Sequence, residues 1–289
     1  MSHGSRYLGV DLGGTQLRVA AVTPGGTLAS DVVSVPTGRE FSPADLRREL
    51  GALLGRTRAT LNGQALAGLG FGTAGVIDQG PLSQCDNLPL LNGIDIGGLV
   101  REVAAGLPVA LENDARCFTL AETRYGAARG ASDVVGITLG TGVGTGAIVA
   151  GRIHRGAQSQ AGEVWRIPMR GHNLEHFLSG AGVVRGYLSA GGKFEPGLDA
   201  ATLEARARAG EKAALEAWRA FGEDLAFLCL AASALLDPTV IVIGGSLAGA
   251  SSLYKPALVA RMQGSPAHIV DAALGPAAGV IGAAALNIA

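Results

Sequence analysis

The chain has 289 residues, enough for two domains with separate cores, yet it carries a net charge of only −1 and 16% charged residues. That balance excludes the broad basic face needed for nucleic-acid binding. Its three cysteines, Cys85, Cys117 and Cys229, are too scattered for a disulfide framework or a Cys-rich zinc site and suit a reducing, cytoplasmic setting.

Met1-Ser2-His3-Gly4-Ser5 reads as a disordered leader rather than a signal peptide. The uncharged runs 134–150, 238–254 and 272–289 are all interrupted by Gly, two of them by Pro as well. They read as buried strands and Ala-packed helices, since a membrane span needs roughly 20 predominantly apolar residues.

Residues 7–10 form an apolar strand ending in Asp11, and Leu12-Gly13-Gly14-Thr15 turns the chain into a return strand over 17–22. A third strand over 27–35 completes a meander. Backbone N–H groups bared by the Gly pair, with the Thr15 hydroxyl, can form a concave anion site. Asp11 could hold a water of Mg²⁺, which needs few carboxylates; an ordinary hairpin reads equally well from this motif alone. Residues 43–61 have helical spacing, with Ser42 and Asp45 suited to the helix start. A strand over 66–71 leads into Gly72-Thr73-Ala74-Gly75-Val76-Ile77-Asp78, then a turn-rich stretch holding Asn87-Leu88-Pro89, and a short helix over 94–105.

A strand over 107–111 runs into Glu112-Asn113-Asp114, after which the pattern turns helical through Phe118, Ala121 and Tyr125. Acids at the carboxyl end of a strand in an open α/β sheet are well placed to face a ligand. Asn113 or Asp114 can equally cap the helix. The first hairpin then recurs. Val135-Gly136-Ile137-Thr138-Leu139-Gly140-Thr141-Gly142-Val143-Gly144 repeats the plan of strand, Gly/Thr turn and return strand, and two such hairpins suggest a duplicated domain with two phosphate loops.

A long polar loop follows, ending in Glu163-Val164-Trp165, and a short helix is expected over 174–180. His154, His172 and His176 have no cysteines near them and read as surface or supporting groups. The helix over 211–236 carries one apolar stripe of Ala214, Trp218, Phe221, Leu225, Leu228, Ala232 and Leu235, stopped by Asp237-Pro238. A buried strand over 239–243, the turn Gly244-Gly245-Ser246, a helix over 251–262 and an Ala/Gly-rich helix over 276–286 close the chain. Neither a P-loop nor a dinucleotide Gly fingerprint is present.

Taken together and in this order, the motifs resemble those of the ROK sugar kinases, members of the hexokinase/actin-like superfamily, along nearly the full length. Asp11-Leu-Gly-Gly-Thr15 and Leu139-Gly-Thr-Gly-Val-Gly144 resemble its two phosphate motifs, Glu112-Asn113-Asp114 its sugar-and-base motif, and Asp237-Pro…Ile-Gly244-Gly245 its adenosine-side motif. Gly72-Thr-Ala-Gly75-Val with Asn87-Leu-Pro resembles its sugar loop. Ala161-Gly162-Glu163 and Leu174-Glu175 with Ser179-Gly180 resemble the segments carrying two sugar-binding glutamates. The resemblance implies an α/β, two-domain actin-like (ribonuclease H-like), duplicated fold with a cleft between the domains. Residues 1–115 would form the smaller domain, 116–275 the larger, and the helix at 276–289 would pack back on the first.

It further implies an ATP- and Mg²⁺-dependent kinase for the 6-hydroxyl of a hexose, glucose first. Asp114 would be the base, and Asn87, Asn113, Asp114, Glu163 and Glu175 would hold the sugar. Asp11, Gly13, Gly14, Thr15, Gly140, Thr141, Gly142, Gly244 and Gly245 would hold the nucleotide and its phosphates, with Asp11 on Mg²⁺ through water. The expected partners are sugar and ATP, with no nucleic acid or membrane, and the expected assembly is a homodimer. With a phosphate turn already at residue 11, the family's N-terminal DNA-binding domain is not expected here. Two departures stand out. Trp165 and Arg166 replace the family's Gly-His, and Met169-Arg-Gly-His-Asn-Leu174 lacks its zinc-binding cysteines, so no zinc is expected. These changes leave open a kinase for an N-acetylhexosamine or fructose, or a sugar-binding regulator with a remodelled pocket.

Overall fold

The computed structural model describes residues 4–77 and 81–288. Residues 1–3 of the leader, Asp78 of the sugar-loop stretch and Ala289 lie outside the described residues. Two compact units emerge: the chain up to Gly130 with Ile153–Ala161 and everything from Ala273 on, and Ala131–Arg152 with Gly162–Ala272.

In the first unit β1 (Arg6–Leu12), β2 (Gln16–Val22) and β3 (Val33–Pro36) form the antiparallel meander. Helix α1 (Pro43–Thr60) follows. A reciprocal capping box starts it, Asp45 N–H donating to Ser42 Oγ while Ser42 N–H donates to the Asp45 carboxylate. Its Leu46, Leu50, Leu53 and Leu54 join the unit's core. β4 (Leu66–Thr73) and β5 (Val109–Asn113) run parallel to β1, giving the order β3-β2-β1-β4-β5. Between them lies α2 (Ile96–Val103), and β5 passes without a spacer into α3 (Asp114–Tyr125).

The expected strand over 107–111 is thus shifted to Val109–Asn113. Polarity does not end it, because Gly72 pairs with Glu112 and Thr73 with Asn113 along the parallel ladder, and the charge of Glu112 is met from within the protein.

In the second unit β6 (Val134–Leu139), β7 (Val143–Val149) and β8 (Arg152–Ile153) form the second meander. A ribbon of β9 (Pro168–Met169) and β10 (His172–Asn173) turns through Arg170 and Gly171 at positive φ of 49° and 82°, the backbone a two-residue hairpin turn requires. Instead of one helix over 174–180 there is a single 3-10 turn, Leu174–His176, and a separate α4 (Gly180–Ser189). Two caps divide them, Asn173 accepting from His176 N–H and Ser179 from Gly182 N–H.

α5 (Ala200–Arg208) and α6 (Lys212–Leu236) follow, then β11 (Val240–Gly244), α7 (Ser251–Arg261) and β12 (His268–Asp271). The α6 stripe is buried from Ala214 to Leu228, but Leu235 is 83% exposed because packing in the last turn passes to Leu236. The sheet order β12-β11-β6-β7-β8 repeats that of the first unit, with a hairpin joined on its inner side by two parallel strands. A duplicated α/β fold is what the two similar hairpins led one to expect.

The chain ends in α8 (Ala278–Ala285), packed in the first unit on β1 and β4. Its backbone comes so close that a Cβ at Gly9 would lie 1.8 Å from Val280 O, and one at Gly70 1.7 Å from Ala283 O. No helix among the described residues is long and apolar enough to cross a membrane.

Candidate active site

In the first unit the parallel strands β1, β4 and β5 end side by side. Asp11, Gly72 and Glu112 pair in one row, and Leu12, Thr73 and Asn113 in the next. The carboxyl edge of such strands is where open α/β sheets take their ligands. The β1–β2 turn carries Gly13, Gly14 and an exposed Thr15. Thr37 braces it, its N–H donating to Thr15 O at 3.0 Å and its hydroxyl to Gly13 O at 2.8 Å. A Cβ on Gly14 would stand 2.6 Å from the Cβ of Asn87, so the loop bearing exposed Asn87 rests directly on this turn. The Asp11 carboxylate lies 3.8 Å from Arg18 Nη1 and packs so close to Gly279 that a Cβ there would stand 2.6 Å from its Oδ2, and its side chain is 17% exposed. Burial, partly offset by Arg18, holds its carboxyl above the usual aspartate range.

Glu112 is the anchor of the next row. It is 1% exposed and accepts from Arg116 Nη1 at 2.9 Å, Asn113 N at 2.9 Å and Arg155 Nε at 2.6 Å. Arg116 in turn donates to Ser159 O at 2.7 Å and Ala161 O at 2.9 Å, tying the 153–161 segment to the start of α3. Asn113 is the helix cap. Its Oδ1 accepts from the N–H groups of Ala115 and Arg116, and its Nδ2 donates to Gly75 O at 3.1 Å. One amide hydrogen remains for a ligand. Asp114, half-buried, opens α3, and its Oδ1 accepts from Ala115 N–H at 2.8 Å.

In the second unit Gly140, Thr141 and Gly142 make the β6–β7 turn. Gly180 N–H donates to Gly140 O at 2.8 Å, joining the turn to the start of α4. Glu175 bends over the same turn: its Oε2 accepts from Val143 N–H at 3.3 Å, and a Cβ on Gly142 would come within 2.2 Å of it. Gly244 pairs with Thr138, and Gly245, at φ 90°, passes so near β6 that a Cβ would stand 2.3 Å from Leu139 O. Only glycine fits there. Trp165 donates its indole N–H to Glu163 Oε2 at 2.7 Å, and the Arg166 guanidinium lies 4.7 Å over the Trp165 ring. The indole thus orients one of the two expected sugar-binding acids.

The 168–177 stretch is held by side chains of its own. Arg170 pairs with Asp224 at 2.6 Å and lies 4.0 Å over the Phe177 ring, while the His172 and His176 rings stack at 3.9 Å. Desolvation, and then the neighbouring charges led by Arg185, lowers the pKa of His176. Among the described residues no three His, Cys, Asp or Glu side chains group as a metal cage. Magnesium needs no such cage, since it keeps its waters and binds by one or two carboxylates plus substrate phosphates. Asp11, partly exposed and only loosely paired, fits that mode.

A cavity of about 630 Å³ opens in the second unit, between the Gly140-Thr141 turn, α4, α5 and Ser246-Leu247. Among its lining residues are Arg185, Leu198, Asp199 and Glu204, none of which sequence reasoning singled out. No single stretch could reveal them, because α4 and α5 meet the turn only in the folded unit. The N-cap residues Ser179 and Asp199 were the available signal, each beginning a helix that walls the cavity.

The ROK family model matches residues 7–289. The chain belongs to the ROK family. Among its full-length relatives is a glucokinase of Streptomyces coelicolor, 28% identical, with 96% of each chain covered. Another is an N-acetyl-D-glucosamine kinase of Vibrio cholerae, 30% identical, with 98% of this chain and 99% of the relative covered. A ROK family glucokinase from Streptomyces griseus, solved with glucose and AMPPNP, superposes with a TM-score of 0.81 at 25% identity, over 97% of this chain and 98% of that one. These relatives share the class of sugar kinase. Against that ROK background, the Trp165–Glu163 bond and the Arg170–Asp224–Phe177 brace give physical content to the two departures noted in the sequence.

Proposed function

We propose that this ROK-family sugar kinase transfers the terminal phosphoryl group of ATP to the 6-hydroxyl of a hexose, glucose first. The observation that carries the reading is Asp114, a half-buried carboxylate one residue beyond the capping Asn113, on the same sheet edge as the Asp11–Thr15 turn. In this reading Asp114 orients the sugar hydroxyl and accepts its proton as the bond to phosphorus forms. The spare Asn113 amide hydrogen, Asn87, Glu163 and Glu175 hold the ring hydroxyls. Acceptors aimed at neutral hydroxyls reject analogues that lack them.

Backbone N–H groups of Gly14 and Gly142, with the Thr15 and Thr141 hydroxyls, take the phosphates, and the Gly244-Gly245 turn takes the nucleoside side. Gly13 and Gly140, expected to share in this, already donate their N–H groups to Gln16 O and Gly142 O, both at 2.9 Å, and shape the turns instead. Asp11 would hold Mg²⁺ through a water; the ion, when bound, supplies positive charge against the phosphates. Three buried free cysteines, with the thiols of Cys85 and Cys229 pushed up to about 12 by burial, fit a cytoplasmic setting. A homodimer completes the reading, to be checked by sedimentation.

A second reading has its own support: an N-acetylhexosamine as acceptor. The V. cholerae relative named for that activity is as close as the glucokinase, and Trp165 already occupies one oxygen of Glu163. One assay separates the two. ADP release is followed over glucose, mannose, fructose, N-acetylglucosamine and N-acetylmannosamine, with Asp114→Asn alongside. The first reading expects turnover on glucose and a fall of at least ~10²-fold in the variant, within the range attributed to general bases. Turnover on an N-acetyl sugar alone selects the second. Sugar binding without ADP release from any of the five would rule out both and leave a sugar-binding regulator.

A further inference from the structure

We propose that Arg185 binds the phosphates of the nucleotide donor and so sets the donor requirement of the enzyme. The proposal rests on the kinase reading above but concerns a residue to which that reading gives no role. Arg185 lines the cavity that also contains Gly140 and Thr141 of the second Gly/Thr turn. It shares one face of α4 with Gly180, Ala181 and Val184, which line the same cavity. Four residues of helix separate it from Ala181, about 6 Å along the axis at 1.5 Å per residue. An arginine side chain spans that distance easily.

Its guanidinium is already held in place. Nε and Nη2 both donate to the backbone carbonyl of His176, at 3.1 and 2.5 Å. Two of five N–H donors are thus used on one neutral acceptor, and three remain. A half-buried, pre-oriented cation in this wall matches a phosphate oxygen better than it matches any neutral group. The wall that α5 contributes has the opposite charge. Asp199 caps α5 there, Glu204 pairs with Arg208 at 2.8 Å, and Leu198 and Leu247 supply apolar wall. Carboxylates suit the hydroxyl and amino groups of a nucleoside and repel phosphate. Arg185 is thus a cation in the wall of a cavity that also holds the Gly140-Thr141 turn, and a phosphate oxygen is the ligand chemistry it suits.

The test measures binding of adenosine, ADP and ATP by calorimetry to the wild type, Arg185→Met and Arg185→Gln, together with steady-state kinetics in ATP and in sugar. Arg185→Gln retains a neutral amide donor for the His176 carbonyl, so it removes the charge with least disturbance of α4. Both variants are expected to bind ATP and ADP about tenfold or more weakly, the loss of a charge-assisted contact, while adenosine changes less than twofold. KM for ATP should rise by a similar factor, with KM for the sugar unchanged. Adenosine weakened as much as ATP would show a collapsed cavity wall and overturn the proposal. So would an unchanged KM for ATP in an active enzyme. If the wild type bound sugar but no adenine nucleotide, the kinase reading itself would fall, and a fully active wild type with indifferent variants would sink the Arg185 assignment alone.

Discussion

Glu112 sits one peptide from the residues proposed to do the chemistry, yet its bonds all point into the protein. Two guanidinium groups and one backbone N–H converge on a carboxylate that is 1% exposed. Removing one member of a buried ion pair leaves the other without compensation, which costs about 3–5 kcal/mol, whereas replacing the pair by apolar groups of similar volume is often close to neutral. Glu112→Gln is therefore expected to lose about 3–5 kcal/mol in urea unfolding. A single variant within about 1 kcal/mol of wild type would show that the network carries little of the fold. At this scale the residue types near the site were readable in the sequence, because a run of acid, amide and acid at a strand end has few uses. Their division of labour was not. Which side chain caps α3 depends on β5 reaching Asn113, and the partner of Glu112 on the far loop, Arg155, lies 43 positions away.

Helix α8 shows the same limit for elements. Its Ala/Gly composition announces close packing, and the strand glycines Gly9 and Gly70 are the complementary half, spread over about 60 positions of sequence. Neither half names the other. A Cβ at Gly70 would stand 1.7 Å from Ala283 O, and no flexible side-chain end is there to yield; the helix backbone itself must move. Overpacking of this kind costs typically about 1–3 kcal/mol, occasionally more. Gly70→Ala is expected to fall at or above the top of that range by denaturant unfolding, while Gly55→Ala, in open space on α1, changes stability little or raises it. Equal stability of the two variants would refute the backbone-on-backbone contact. Elements with strong local signals, such as the capped α1 and the striped α6, are legible without such partners. The 174–180 stretch is not, since two caps a few residues apart in helix-forming sequence look like one helix until hydrogen bonds divide them.

For the molecule as a whole, the repeated hairpin was the most informative sequence feature, because it carries topology as well as chemistry. Each unit has its own core, centred on α1 with β1 and β4 in the first and on Trp218, Phe221 and Tyr254 in the second. Units with separate cores can be stabilised separately, and a ligand at 100 times its Kd adds about 2.7 kcal/mol to whatever binds it. Hydrogen exchange should therefore report which unit holds which substrate. Under the proposed function, glucose slows exchange of the amides at 113–116, where Asn113 and Asp114 open α3. Adenosine slows those at 180–185 and 245–247, which flank the 630 Å³ cavity, and leaves 113–116 unchanged. ATP adds protection at 13–15 and 140–143, the two turns assigned to phosphate. The informative comparison is ATP against adenosine, since it isolates the phosphates from the nucleoside. Should the two give the same pattern, the paired turns would have no claim as phosphate loops, and the duplication would stand as architecture alone.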